Sequence, residues 1–278
     1  MPKSCSAARM RLCSASDLDI AKTLECGQCF RWNAGPDGVY AGVARGRAAR
    51  VWEEAGTVYI DAPEEELGFW SEYFDLSTDY DMARASIASG RYLSECVNFG
   101  RGIRILRQEP WEALCSFIIS QCNNIPRIKA ITEKLCTLFG EKIAHCGETY
   151  YSFPAAERIA VLTEEALAPL HSGYRARYIL SAARAVAAGD VALDAVSALP
   201  CDEARAELKK LPGVGDKVAN CALLFGMHRM DVFPVDVWIK RVLKEQFGND
   251  FRPDSLGPYA GLAQQYMFYY ARCAAQKK

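Results

Sequence analysis

The sequence predicts an α+β fold. An N-terminal antiparallel β-sheet domain, residues 1–108, is followed by an all-helical domain, residues 109–278, with a helix-hairpin-helix near 203–227. Three observations predict it. Residues 29–60 carry short apolar runs broken by Gly-containing turns, the pattern of neighbouring antiparallel strands. From Trp111 onward apolar residues recur almost without interruption at helical spacing. Between the two, "RQEP" (107–110) precedes the first strong helix and marks the boundary near residue 108.

The elements follow in order. "CFRWN" (29–33) is a strand, the turn "GPDG" follows, and "VYAGV", "AARVW" and "TVYI" continue the sheet. "PEEELGFWSEYFDL" and "DYDMARASIASG" are helical or loop-like. The helical periodicity then covers 111–122, 127–139, 154–161, 163–170, 175–188, 202–210, 216–227, 236–247 and 258–274. No internal repeat or low-complexity linker interrupts it.

At 278 residues and 50% hydrophobic, the chain can build one large or two modest cores. It has no run of 18 apolar residues, so no membrane span is expected. The opening "MPKSCSAARMRL" lacks the apolar centre of a signal peptide, which predicts a cytoplasmic protein. Most of the 12 cysteines lie singly in apolar surroundings and read as small buried hydrophobes. Cys26 and Cys29 have CxxC spacing, but no second CxxC completes a metal site, and "FRW" after them reads as strand. Only Cys273 lies near the C-terminus, which excludes a four-cysteine iron–sulfur cluster there. The net charge is −1, yet it is unevenly spread. Residues 1–83 hold 8 Lys/Arg against 14 Asp/Glu, a balance of −6, while residues 84–278 hold 25 against 20, a balance of +5. The second part can therefore present a basic face.

The segment "LKKLPGVGDKVANC" (208–221) concentrates the chemistry. Leu211-Pro-Gly-Val-Gly215 reads as a tight hairpin. Asp216 reads as an N-cap, with a helix starting behind it. N–H groups at such a helix start point outward together and make an anion site suited to a DNA phosphate, which needs no net positive charge. Lys217 then sits at the positive end of a helix dipole, where a cation is disfavoured by about 0.3–1 kcal/mol. That position favours the neutral amine, a nucleophile. A phosphate contact is the other role these residues leave open. Nineteen residues on, in "FPVDVWIKRVL", Asp236 either caps a helix or serves an amine by orienting it and stabilising positive charge on a sugar.

The chain resembles the helix-hairpin-helix DNA glycosylase superfamily and, within it, the 8-oxoguanine DNA glycosylase family. The resemblance covers nearly all of the chain. It rests on "GQCFRW" (27–32), "SFIISQCNNIPRI" (116–128), "GYRARYILSAARAV" (173–186), "LPGVGDKVANC" (211–221), "PVDVW" (234–238) and "LAQQYMF" (262–268). It implies that Lys217 attacks the sugar C1′, displaces the damaged base and leaves a Schiff base from which β-elimination nicks the strand. Asp236 would stabilise the oxocarbenium-like sugar. Cys221 and Phe268 would sandwich the extruded base, Gln264 would read its Watson–Crick edge, and the Gly27 carbonyl would accept from N7–H, the donor that guanine lacks. Spacing agrees, since Lys217 and Cys221, and Gln264 and Phe268, are both i, i+4 pairs. Asn123, Arg127 and Arg175 would contact the estranged cytosine, with Tyr174 as the wedge. Gly213, Gly215, Val218 and Trp238 would meet phosphate. Two positions depart from the family pattern: Trp238 stands where some relatives have a histidine, and Cys122 where some have an asparagine. The implied partner is damaged double-stranded DNA, bound by a monomer without any membrane, in the cytoplasm and, in a bacterium, with the nucleoid. No cofactor is required. A structural monovalent cation at the hairpin carbonyls is compatible with the resemblance. Two alternatives share this evidence: the same chemistry on another oxidised purine such as formamidopyrimidine, or a non-enzymatic DNA-binding module whose lysine grips phosphate.

Overall fold

The computed structural model describes residues 8–248 and 251–276. Residues 1–7, the start of "MPKSCSAARMRL", lie outside the described residues.

Five strands form one antiparallel sheet: β1 (Ala8–Ser14), β2 (Trp32–Ala34), β3 (Tyr40–Ala44), β4 (Arg47–Glu54) and β5 (Thr57–Ala62), in the order β1-β5-β4-β3-β2. The middle strands match the sequence reading. Two features differ from it. "CFRW" joins the sheet only from Trp32, because Gln28 turns back to bond Thr23, Arg104, Leu106 and Gln108 instead of a neighbouring strand. The edge strand β1 lies outside the expected strands; Arg9 and Arg11 are exposed while Met10 and Leu12 pack on the core, an alternation of only two periods that its pairing with β5 fixes. Helix α1 (Ile20–Glu25), capped by Asp19, fills the β1–β2 connection, and α2 (Leu67–Tyr73) follows the sheet. Trp32, Val51, Ile60, Trp70 and Phe74 make the core between sheet and helices. Trp32 also donates its indole N–H to the Tyr73 hydroxyl at 2.9 Å, so the polar tip of each ring is satisfied inside it.

The second and larger core is helical. It takes in α3 (Tyr80–Ile87) and α4 (Gly90–Phe99), as well as α5 (Pro110–Ile119), α6 (Ile125–Phe139), α7 (Ala156–Ala160), α8 (Glu164–Leu167) and α9 (Arg175–Ala187). It closes with α10 (Leu193–Ala198), α11 (Cys201–Lys209), α12 (Asp216–Cys221), α13 (Val237–Val242) and α14 (Ala260–Gln276). Residues 111–119 of α5 are all buried, the mark of a central helix. A short hairpin, β6 (Lys142–His145) with β7 (Glu148–Tyr151), interrupts the expected run of helices. It is held to the first sheet by His145, whose Nε2 lies 3.0 Å from the Asp61 carboxylate of β5, an acid that Arg50 of β4 also contacts at 2.5 Å.

Two predicted helices change pitch midway. The segment 216–227 is α-helical to Cys221 and then forms a π-helical turn, Ala222–Gly226, where Met227 N–H reaches Ala222 O at 3.2 Å. The segment 236–247 does the same over Leu243–Phe247. Periodicity cannot separate these pitches over so few residues.

Candidate active site

The hairpin between α11 and α12 sets the first half of the site. Gly213 has φ +80°, and a Cβ there would meet the Tyr178 ring at 2.4 Å, so only glycine fits. Gly215, not Asp216, is the N-cap of α12. Asp216 is instead the first helical residue, and its carboxylate, 2.6 Å from Lys209 Nζ, ties the two helices together. That lysine holds the Asp216 carboxyl below the usual range. The expected cap is thereby corrected: the extended backbone of Gly215 leaves the helix start open toward solvent. Val218 is buried behind it.

Lys217 follows, half-buried, in the first turn as expected. Its Nζ donates to Ser120 Oγ at 2.8 Å and lies 5.1 Å from the centroid of the Phe117 ring. The Ser120 hydroxyl in turn donates to Phe117 O at 2.8 Å, so its lone pairs face the amine. Asp236 caps α13, its Oδ1 accepting from Ile239 N at 2.8 Å. Lys217 and Asp236 make no direct ion pair, but both line one cavity of about 660 Å³.

The other walls of that cavity include Gly27, Cys122, Asn123, Trp238, Phe268 and Arg272. Gly27 has φ +86°, and a Cβ there would stand 3.2 Å from Ile125 Cδ1 and 3.4 Å from Phe268 Cε1. Its bare backbone therefore abuts the aromatic ring. Cys221 lies buried one turn after Lys217; burial pushes its thiol up to about 11, so it is a neutral wall and not a thiolate. Gln264, one turn before Phe268 on α14, is buried, and its Oε1 accepts from no described residue. Cys221 and Gln264 are not among the residues lining the open cavity.

The residues expected to face the partner base are placed less simply. Asn123 spends its amide on Ile119 O and Asn124 N–H. Asn124 caps α6. Arg127 is exposed and donates to His171 O at 3.2 Å. Arg175 is buried and turned inward. It donates to the carbonyls of Gln121 and Cys122, bracing the α5–α6 turn, and to that of Ser172 just before its own helix, so a base contact requires it to let these go. This corrects the expectation of an outward-facing fork. Cys122, in that turn, has φ +48°, a conformation asparagine tolerates better than cysteine. Tyr174 is 46% exposed under the Arg175 guanidinium, as a wedge requires. Trp238 lines the cavity, with Arg241 over its ring.

The sequence reading had no role for Ser120, Gln265 or Arg272. Ser120 meets Lys217 across 97 positions, which no local spacing reveals. Arg272 could have been found, because it lies one turn after Phe268 on the same helix. Cys26 and Cys29, the CxxC pair, are both free and fully buried in separate cores. Among the described residues, no helix is long and apolar enough to cross a membrane.

Comparison with known proteins adds three findings. Residues 11–114 match the 8-oxoguanine DNA glycosylase N-terminal domain, and residues 115–255 match the HhH-GPD superfamily of base excision DNA repair proteins. The N-glycosylase/DNA lyase of Saccharomyces cerevisiae is 40% identical over 159 residues, which are 53% of this chain and only 42% of the yeast protein. Two solved structures superpose almost throughout. MBOgg1, in complex with a low affinity DNA ligand, is 39% identical, with a TM-score of 0.91 over 98% of both chains. The 8-oxoguanine glycosylase/lyase of Clostridium acetobutylicum, in complex with double-stranded DNA containing cytosine opposite 8-oxoguanine, is 36% identical, with a TM-score of 0.88 over 94% of this chain and 93% of that one.

Proposed function

The chain belongs to the 8-oxoguanine DNA glycosylase family of the HhH-GPD base excision repair superfamily, and from that membership we propose that it is a bifunctional DNA glycosylase and abasic-site lyase acting on 8-oxoguanine. The observation that carries this reading is the meeting of Lys217 and Asp236, with Gly27 and Phe268 opposite, around one cavity of about 660 Å³. A cavity of that size admits a flipped nucleotide.

In the proposed mechanism the Lys217 amine attacks C1′ through its nitrogen lone pair as the N-glycosidic bond breaks, and the electron pair of that bond leaves with the base. Positive charge spreads over the sugar meanwhile, and the Asp236 carboxylate stabilises it. Loss of a proton from nitrogen and opening of the sugar ring give the Schiff base. Removal of a C2′ proton then expels the 3′ phosphate. The base is held between Phe268 and the Cys221 side of α12. Its N7–H donates to Gly27 O and its Watson–Crick edge to Gln264, whose Oε1 is free to accept. Guanine presents a lone pair at N7 and is repelled there.

Around this centre, the helix start after Gly213 and Gly215, with Val218 and Trp238, carries the phosphate; Tyr174 fills the vacated stack; Asn123 and Arg127 face the partner cytosine, and Arg175 joins them only on releasing the carbonyls of Gln121 and Cys122. The partner is double-stranded DNA bound by a monomer in the cytoplasm. A division of the chain at residue 108 remains part of the reading. So does a monovalent cation at the hairpin, where the carbonyls of Pro212 and Gly213 accept from no described residue.

Borohydride trapping tests the whole. A covalent adduct with an 8-oxoguanine duplex is expected. Adducts only with other lesions would shift the substrate to another oxidised purine, and no adduct with any lesion would leave a DNA-binding module.

A further inference from the structure

Four consecutive carbonyls, those of residues 25–28, pass beside the site, and side chains distant in sequence claim three of them. Glu25 O accepts from Arg272 Nη2 at 2.6 Å. Cys26 O accepts from the buried Gln265 Nε2 at 2.9 Å. Gln28 O accepts from the buried Gln108 Nε2 at 2.8 Å. The carbonyl of Gly27 accepts from no described residue.

The loop is anchored on both sides as well. The Gln28 side chain is wholly buried, donating to Thr23 O and Arg104 O at 2.9 and 2.7 Å and accepting from Leu106 N at 2.9 Å. On the other side, Gln265 and Arg272 both project from α14, the helix that carries Phe268. The Arg272 guanidinium lies 5.7 Å from the Phe268 ring centroid, so one side chain touches both the slab and the loop. Its Nε is buried without a partner, so the bond from Nη2 to Glu25 O is the hydrogen bond that ties this side chain to the loop.

We propose that Gln265 and Arg272 are positioning residues that fix the Gly27 carbonyl relative to Phe268, and thereby set recognition of the oxidised base. The physical reason is pre-organisation. An acceptor discriminates a donor from a lone pair only if it cannot swing aside to relieve the repulsion. A backbone at positive φ with no side chain is easily displaced unless its neighbours are held. Here the two carbonyls before it are bonded to the same helix that carries the stacking ring. Carbonyl and ring then move as a unit.

This inference rests on the glycosylase/lyase reading, and its test separates the two. Gln265→Met keeps the volume and removes the amide donor; Arg272→Leu removes the guanidinium; Arg272→Lys retains a donor. Each is assayed by single-turnover excision of 8-oxoguanine opposite cytosine, and by cleavage of the same duplex carrying an abasic site. The second reaction needs Lys217 but has no base for Gly27 to read. For Gln265→Met, excision is expected to fall about tenfold while abasic-site cleavage stays within about twofold. Arg272→Leu lowers the same ratio, and Arg272→Lys restores part of it. A merely structural role would lower both reactions together, and that result overturns the proposal, as does unchanged excision. If Gln265→Met does not fold, Arg272→Leu carries the same two outcomes. A wild-type protein inert on both duplexes would instead overturn the functional reading beneath it.

Discussion

Replacing Asp236 by asparagine separates two jobs that one carboxylate performs. Its Oδ1 accepts from Ile239 N at 2.8 Å and caps α13. Asparagine offers a carbonyl oxygen at the same reach and ranks with aspartate as a cap. Asp236→Asn therefore forfeits only the charge at the helix start, about 0.3–1 kcal/mol. Asp236→Ala loses the cap as well, about 1 kcal/mol and at most about 2. In a chain of this size each kcal/mol moves Tm by about 2–4 °C. The chemical cost is larger. A full positive charge 4 Å from a carboxylate gains about 4 kcal/mol at an effective dielectric near 20. A sugar carrying half a charge gains about half of that. The excision rate of Asp236→Asn should thus fall about 30- to 1000-fold with little change in Tm. The assays are single-turnover release of 8-oxoguanine and thermal unfolding of both variants. If Asp236→Asn excises at the wild-type rate, the carboxylate is only a cap. If activity in the two variants falls in step with Tm, the loss is structural and the electrostatic role is refuted.

Lys217→Gln should abolish both base release and borohydride trapping while keeping duplex binding; retained excision in a fluorescence or gel assay would remove the nucleophile assignment. Gly27→Ala places a methyl 3.2 Å from Ile125 and 3.4 Å from Phe268 on a backbone at φ +86°. It should cost about 1–2 kcal/mol of stability and much of 8-oxoguanine excision, while abasic-site cleavage persists; equal loss of both reactions would argue against a base-facing carbonyl. Excision should be faster opposite cytosine than opposite adenine by about tenfold for each arginine fork formed, and Arg127→Ala should narrow that ratio. Single-turnover rates with the four opposite bases decide it, and equal rates in the wild type would show that neither arginine reads the partner.

By itself the sequence determined whatever is encoded within one or two helical turns. The hairpin at 211–215 was legible because Pro212 fixes φ and Gly213 allows the positive φ the turn requires. The helices from 110 to 276 were legible because their apolar residues repeat at 3.6. Lys217 stood out because a cation at a helix start is locally unfavourable, and Asp236 because a cap precedes its helix. Resemblance to a known family then supplied roles for Gly27, Gln264 and Phe268 that no periodicity carries. Tertiary structure decided the contacts whose partners are remote. Strand β1 has an Arg-Met-Arg-Leu alternation too short to specify a strand alone, and it forms where β5 offers an edge to pair with. The hairpin β6–β7 forms against Asp61 of the first sheet. Arg175 turns inward because two carbonyls of a remote turn, Gln121 and Cys122, lie within its reach, where its sequence position allowed it to point either way. Lys217 meets Ser120, and Gln265 meets Cys26, only because the chain closes loops of 97 and 239 residues between them. Propensity acts along the chain, whereas a hydrogen bond depends on which group the packed core brings within 3 Å, and that is settled by the fold as a whole.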